Sequence, residues 1–223
     1  MQDHRSRFLD LALRADALRF GEFQLKSGRT SPYFFNAGRF DSGMALAGLA
    51  GCYADAIDAA RTSGALGEFD LLFGPAYKGI PLATALACEY ARRGIDLPVA
   101  FNRKEAKAHG EGGTLIGSPL AGRRVLVVDD VITAGTAIRE ALQIIGDAGG
   151  TVSGIVIALD RQEAVDPSRS RRSAAQTVAI EQAIPVVAVA SLGDLLAMAE
   201  HSTTLAAQHE QLLAYRERYG SQP

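Results

Sequence analysis

Two adjacent carboxylates, Asp129 and Asp130, close an apolar run that begins at Val125, and a small-residue turn, Thr133-Ala-Gly-Thr136, follows them. Such an acid pair can accept hydrogen bonds from sugar hydroxyls or help place a divalent metal. It cannot hold a phosphate. The turn can, because small residues let backbone amides approach an anion, two threonine hydroxyls add donors, and the positive end of a following helix favours negative charge. Anion-binding amides beside hydroxyl-binding carboxylates fit a ribose 5-phosphate.

A second anion site is written in Gly74-Pro-Ala-Tyr-Lys-Gly79, which closes another apolar run and opens a helical pattern, so that its amides and Lys78 face the same end as Asp129. The loop lacks the Lys and Ser/Thr that complete a P-loop, and no G-x-G-x-x-G is present, so nucleotide-binding readings of those kinds fall. A third stretch, from Phe101 to Gly113, gathers Arg103, Lys104, Lys107 and His109 and then three glycines. A solvated loop is the default for such a run, but this one starts at a strand's carboxyl end beside two anion sites. Read alone, Lys26 is a turn lysine, Phe34 and Phe35 are hydrophobic residues, and Arg161 is a surface charge. His4, His201 and His209 have no ligand spacing and read as surface residues. Cys52 and Cys88 form neither a disulfide framework nor a zinc pattern and read as buried apolar thiols.

These groups need a scaffold. Four aliphatic residues before Asp129 mark a strand buried on both faces, and Ile138, Leu142 and Ile145 repeat with helical spacing. From residue 70 onward strand and helix alternate: 71–73 into 79–91, 98–101, 125–128 into 135–147, then 152–159. Alternation of this kind specifies an α/β fold, a parallel sheet with right-handed crossovers and helices on both faces, whose ligands gather at the strands' carboxyl ends. Upstream, Phe8, Leu9, Leu11, Leu13, Leu18 and Phe20 predict an opening helix of about four turns. Strands over 21–25 and 31–36 follow, then a helix over 42–60 capped by Asp41 or Ser42. After a polar, turn-prone segment at 165–172 come a helix, a strand at 185–190, and terminal helices over 192–198 and 204–219. The expectation is a single domain, 1–223, with a small hood formed mainly by about 1–40 and a core of about 41–223.

With 223 residues, 48% of them hydrophobic, the chain is long enough to build one sizeable core. A net charge of −2 supplies no global basic field for nucleic acid or membrane surfaces. No run of 18 apolar residues occurs, the amino terminus does not read as a signal peptide, and a cytoplasmic location is expected.

The wording Val-Val-Asp-Asp-Val-Ile-Thr-Ala-Gly-Thr resembles the phosphoribosyl-pyrophosphate (PRPP) motif of the type I phosphoribosyltransferases, and the orotate enzymes in particular, of the bacterial, enterobacterial type. The likeness spans about residues 19–195 in five separated motifs. It implies a type I phosphoribosyltransferase fold, a mainly parallel central sheet flanked by helices with a small hood, and Mg-dependent transfer of ribose 5-phosphate from PRPP to N1 of orotate. The products are orotidine 5′-monophosphate and pyrophosphate, a step of UMP synthesis. Asp129, Asp130, Val131, Ile132, Thr133, Ala134, Gly135, Thr136 and Ala137 would form the PRPP loop. Tyr77 and Lys78 would grip pyrophosphate, with the Ala76–Tyr77 peptide cis, and Arg103, Lys104, Lys107 and His109 would close on it. Lys104, Lys107, Asp129 and Asp130 would carry catalysis. Lys26 would lie near the reacting ring and touch both substrates. Phe34, Phe35, Thr133 and Arg161 would bind orotate, with Arg161 as its carboxylate clamp. Mg2+ would be held mainly by PRPP and water, with no direct protein ligand assigned. The cationic loop of one subunit would close over the site of its partner in a homodimer. Two alternatives stay open: a PRPP-sensing regulator of the same fold without catalysis, and a purine phosphoribosyltransferase.

Overall fold

The computed structural model describes residues 3–25, 27–107, 113–166, 170–203 and 205–222. A six-stranded sheet runs through it in the order β10 (Val186–Ser191), β7 (Thr151–Asp160), β6 (Arg124–Asp129), β3 (Leu71–Gly74), β4 (Val99–Lys107), β5 (Gly113–Gly117). All neighbours are parallel except the edge pair β4 and β5. The register aligns Leu72 with Val99 and Leu126, and Asp129 with Ile157, so the carboxyl ends of β3, β4, β6 and β7 lie together.

Strand alternation divides the apolar run between two cores. Leu126 and Val128 of β6 join Leu72, Val156 and Ala158 on one face. They pack with α1 (His4–Arg14), α2 (Gly43–Thr62), α3 (Gly79–Arg92), α6 (Leu192–Glu200) and α7 (Ala206–Tyr219). Val125 and Val127 join Leu71, Phe73, Ile155 and Ile157 on the other, against α4 (Thr136–Asp147) and α5 (Ala174–Gln182). Residues 125–128 are fully buried, each contributing about 1.5–3 kcal/mol of burial. Upstream, β1 (Leu18–Gln24) and β2 (Thr30–Phe35) form a separate antiparallel ribbon. Ser42 caps α2, as the sequence suggests.

Several local expectations are corrected. The opening helix stops at Arg14, and Leu18 and Phe20 belong to β1. Asp16 takes a left-handed φ of 58°, while the Ala17 amide bonds the Ala12 carbonyl at 2.9 Å and the Asp16 amide bonds Leu13 at 3.1 Å. That is a Schellman stop made without glycine. The cationic stretch begins as strand: β4 continues to Lys107 and pairs back onto β5, with Asn102 opposite Leu115 and Lys107 opposite Gly113. The polar segment after residue 163 forms strands β8 (Ala164–Asp166) and β9 (Ser170–Ser173). Cys52 is buried but Cys88 is exposed, because Leu82, Leu86 and Tyr90 take the buried face of α3 and Cys88 falls on the other with Pro81 and Thr84. The His4 side chain is only 11% exposed and sits 3.1 Å from Asp3.

Candidate active site

The centre of the site is the end of β6, one of the two central strands. Asp129 and Asp130 are both buried there. The Tyr53 hydroxyl, from α2, donates to the Asp129 carbonyl at 2.7 Å, and the amides of Ala158 and Leu159 donate to the Asp130 carbonyl at 2.9 and 3.3 Å. The backbone is thus tied on two sides. The side chains differ. Lys78 Nζ lies 2.7 Å from Asp130 Oδ2, whereas Asp129 accepts the Asp130 amide at 2.9 Å and has no cation of its own. Burial, and then the neighbouring Asp130 charge, push the Asp129 carboxyl up to about 7.

Beyond the acids, Val131 packs on the first core and Ile132 sinks into the second, which pins the turn. Thr133 and Ala134 are exposed, Gly135 turns through a left-handed φ of 73°, and α4 starts at Thr136 without a side-chain cap. Arg139 donates to the Ala134 carbonyl at 2.9 Å and braces the turn from within the helix. Thr136 and Ala137 are exposed in the first turn of α4. Uncapped first-turn amides, two threonine hydroxyls and a glycine that lets the chain bend make a cradle for an anion.

The second loop closes on itself. A β-carbon on Gly74 would collide with the Gly79 carbonyl, and one on Gly79 would sit 2.7 Å from the Val128 carbonyl, so the spacing of these two glycines is a packing requirement. The Ala76–Tyr77 peptide is cis. The Ala76 amide donates to Asn102 Oδ1 at 2.9 Å, which ties this loop to β4. Tyr77 is 67% exposed and Lys104 Nζ stands 5.3 Å from its ring centre, a cation–π distance within one chain. Arg103 is half-buried beside it in β4. Lys107 ends β4. The Lys107 side chain, His109 and Lys26 lie outside the described residues.

At the end of β7 stands Arg161, only 14% exposed. Its Nε and Nη2 both donate to Glu163 Oε1, at 2.8 and 2.6 Å, and Nη2 reaches Ser31 Oγ at 3.4 Å. Its guanidinium lies 4.8 Å over the Tyr33 ring. Arg161 is therefore not the surface charge it resembles when read alone. Phe34 and Phe35 fall on opposite faces of β2: Phe34 stacks on Phe23 at 5.4 Å, while Phe35 is buried against Phe8 and Phe40. Asn36 donates to the Ala17 carbonyl at 2.8 Å, so ribbon alternation turns the Phe35 backbone to the open edge. Only Phe34 can offer a ring face; Phe35 can offer an amide and a carbonyl.

The description "Phosphoribosyl transferase domain" fits residues 49–188. The chain is 73% identical over 221 residues to the orotate phosphoribosyltransferase of Xanthomonas euvesicatoria pv. vesicatoria (strain 85-10), covering 99% of this chain and 98% of that one. The chain belongs to the orotate phosphoribosyltransferase family. Among solved structures, the Francisella tularensis orotate phosphoribosyltransferase is 39% identical with a TM-score of 0.81, covering 96% of this chain and 99% of that one. A Mycobacterium tuberculosis orotate phosphoribosyltransferase in complex with 5-phospho-alpha-D-ribosyl 1-diphosphate shares the fold at TM-score 0.62 and 24% identity, over 86% of this chain and 98% of that one.

In this orotate phosphoribosyltransferase family member the motifs converge on one end of the sheet. Asp129, Asp130, Lys78, Tyr77, Lys104 and the Thr133–Thr136 turn are contiguous through named contacts or the chain itself, and Arg161 leaves the adjacent strand at the same end. Sequence reading missed Asn102, Glu163 and Tyr53. Asn102 and Glu163 had a signal, each being a polar residue inside a functional stretch; Tyr53 sits in an ordinary amphipathic helix and had none. Among the described residues no group of three or more His, Cys, Asp or Glu could hold a metal. A two-carboxylate site suits an ion that keeps most of its ligands from substrate oxygens and water, as Mg2+ does.

Proposed function

We propose that the chain transfers ribose 5-phosphate from PRPP to N1 of orotate, giving orotidine 5′-monophosphate and pyrophosphate for pyrimidine nucleotide synthesis. The observation that carries this reading is the 2.7 Å contact between Lys78 and Asp130, which joins the pyrophosphate loop to the ribose-binding acids in one pocket. The 5′-phosphate lies on the amides and hydroxyls of the Thr133–Thr136 turn. Asp129 and Asp130 accept the ribose hydroxyls, which fixes the anomeric carbon. Lys78 then leaves Asp130 for the pyrophosphate, joined by Lys104 and, from the same stretch, Arg103, Lys107 and His109. The C1′–O bond to pyrophosphate breaks as the N1–C1′ bond forms, the proton of N1 is released to solvent, and these cations stabilise the charge gathering on the departing oxygens. Mg2+, when bound with PRPP, adds positive charge at the diphosphate. Arg161 pairs with the orotate carboxylate, Phe34 offers a ring face, Phe35 offers backbone donors, and Thr133 and Lys26 lie at the base.

Identity to enzymes named for orotate sets the purine alternative aside, and the cationic β4 arm has no use in a mere PRPP sensor. This reading includes a homodimer in which the arm beyond β4 serves the partner's site; the place of the β4–β5 pair at the sheet edge supports this, although Lys104 rests on Tyr77 of its own chain. It also includes a cytoplasmic setting, in keeping with the finding that no helix among the described residues is long and apolar enough to cross a membrane. The test is to mix the protein with PRPP, Mg2+ and orotate and follow loss of the orotate ultraviolet absorbance. Uracil, adenine and hypoxanthine serve as controls. Turnover of a purine, or none of orotate, would refute the reading.

A further inference from the structure

The Arg161 clamp is held by a buried counter-charge, and handing the clamp to a substrate creates a problem for that charge. Glu163, whose side chain is 13% exposed, takes two of its donors from Arg161. Tyr33 OH is a third and more distant donor at 3.4 Å. Ser31 is not available, since its hydroxyl donates to the Tyr33 carbonyl at 2.7 Å. If the guanidinium fork turns to an incoming carboxylate, a buried anion is left short of donors, which is expensive.

One group stands ready. Tyr215, on α7, is 6% exposed, packs edge-on against Tyr33 with ring centres 6.3 Å apart, and leaves its hydroxyl buried beside Ser31 and Glu163 without a well-formed hydrogen bond to either. Buried hydroxyls are seldom left so. That hydroxyl faces Glu163, Arg161 and Ser31, and burial followed by the Glu163 charge pushes its pKa up, which keeps the proton on it. The position is fixed from both sides: Tyr219 packs at a tilt against Tyr215 with ring centres 5.1 Å apart, Gly220 bridges to Glu163, and the Ser221 amide donates to the Gln162 carbonyl at 2.7 Å. The end of α7 is thus laid along the loop that carries the clamp.

We propose that Tyr215 is a positioning residue for orotate recognition: when the orotate carboxylate draws Arg161 off Glu163, the Tyr215 hydroxyl rotates its proton to the Glu163 carboxylate and takes the place of the lost donors. This rests on the reading of Arg161 as the carboxylate clamp. Only a hydroxyl rotation is needed, with no movement of the ring.

The test is Tyr215→Phe in the full chain, with steady-state constants determined separately for the two substrates. KM for orotate rises about tenfold, the loss of one hydrogen bond to a charge, while kcat and KM for PRPP stay as they were. In a Glu163→Gln background, where there is no anion to satisfy, the same change has little effect on orotate KM. An unchanged orotate KM, or equal rises for both substrates with a lower melting temperature, would overturn the proposal. Arg161→Ala separates the two ideas. If it leaves orotate KM unchanged, the base-site reading itself falls, whereas a steep rise there with none in Tyr215→Phe removes only the role of Tyr215.

Discussion

Asp129→Asn tests whether the reactive centre holds charge at the expense of stability. The native carboxyl is buried, has no cation of its own and is pushed from an ordinary 3.8 up to about 7. Between those values the folded chain keeps a proton that the unfolded chain has released. Stability therefore falls as pH rises from about 4 to about 7, and the whole cost is present above 7. A gap of about three pH units corresponds to about 4 kcal/mol as an upper figure. Asparagine keeps an oxygen for the Asp130 amide and cannot ionise. The variant should gain about 1.5 kcal/mol at pH 5 and about 4 kcal/mol at pH 8, which for a chain of this size is roughly 3–6 °C and 8–16 °C in melting temperature. Activity should fall about 10- to 100-fold, because a charged acceptor for a ribose hydroxyl is gone. Paired thermal melts at the two pH values, with urea titrations to give free energies, measure the effect. A shift of equal size at both pH values, or destabilisation at pH 8, would refute the argument that burial of charge is the cause.

Other outcomes follow from the same geometry. Lys104→Ala should lower kcat far more than it raises KM for orotate, since its charge matters as pyrophosphate leaves; unchanged turnover would count against it. Mixing Lys104→Ala chains with Asp130→Asn chains should restore activity if arms are exchanged between subunits, and an inactive mixture in which hybrid dimers are verified would show that each arm serves its own site. Arg161→Lys should weaken orotate binding about tenfold or more, because an ammonium cannot form a two-pronged pair with a carboxylate; equal affinity would remove the clamp. Asn102→Ala frees the Ala76 amide and should raise KM for PRPP while sparing orotate, as read from initial rates with each substrate varied in turn.

How much of this is legible in the chain depends on how local the cause is. The buried strand before Asp129 is four aliphatic residues in a row, and its place at the sheet's centre follows from strand and helix alternation. The Gly74 to Gly79 spacing announces a tight loop. Where the cause is distant, sequence reading failed. The opening helix ends at an aspartate in a left-handed turn, a role that glycine signals and Asp16 does not. The strand character of the cationic stretch comes from pairing with β5, whose Gly113-Thr-Leu-Ile-Gly117 is too short and glycine-bounded to stand out. Phe34 and Phe35 look like a pair in one dimension, yet the pleat sends their rings apart. Arg161 reads as a solvated charge because Ser31 and Tyr33, which enclose it, lie some 130 residues away in sequence.

The strand that bears the acids has neighbours on both flanks and cores above and below, whereas the arm that bears Lys104 leaves the sheet with a single, short partner strand. Amide hydrogens of Val125 to Val128 should exchange only on global unfolding, while those near Arg103 and Lys104 should exchange through local opening. Substitutions in the β4–β5 pair beyond Asn102 can therefore accumulate at little thermodynamic penalty to the rest of the molecule. Apart from the cations that face the substrate, the arm is where lineages working at different temperatures would be free to diverge, with the acid-bearing strand held constant.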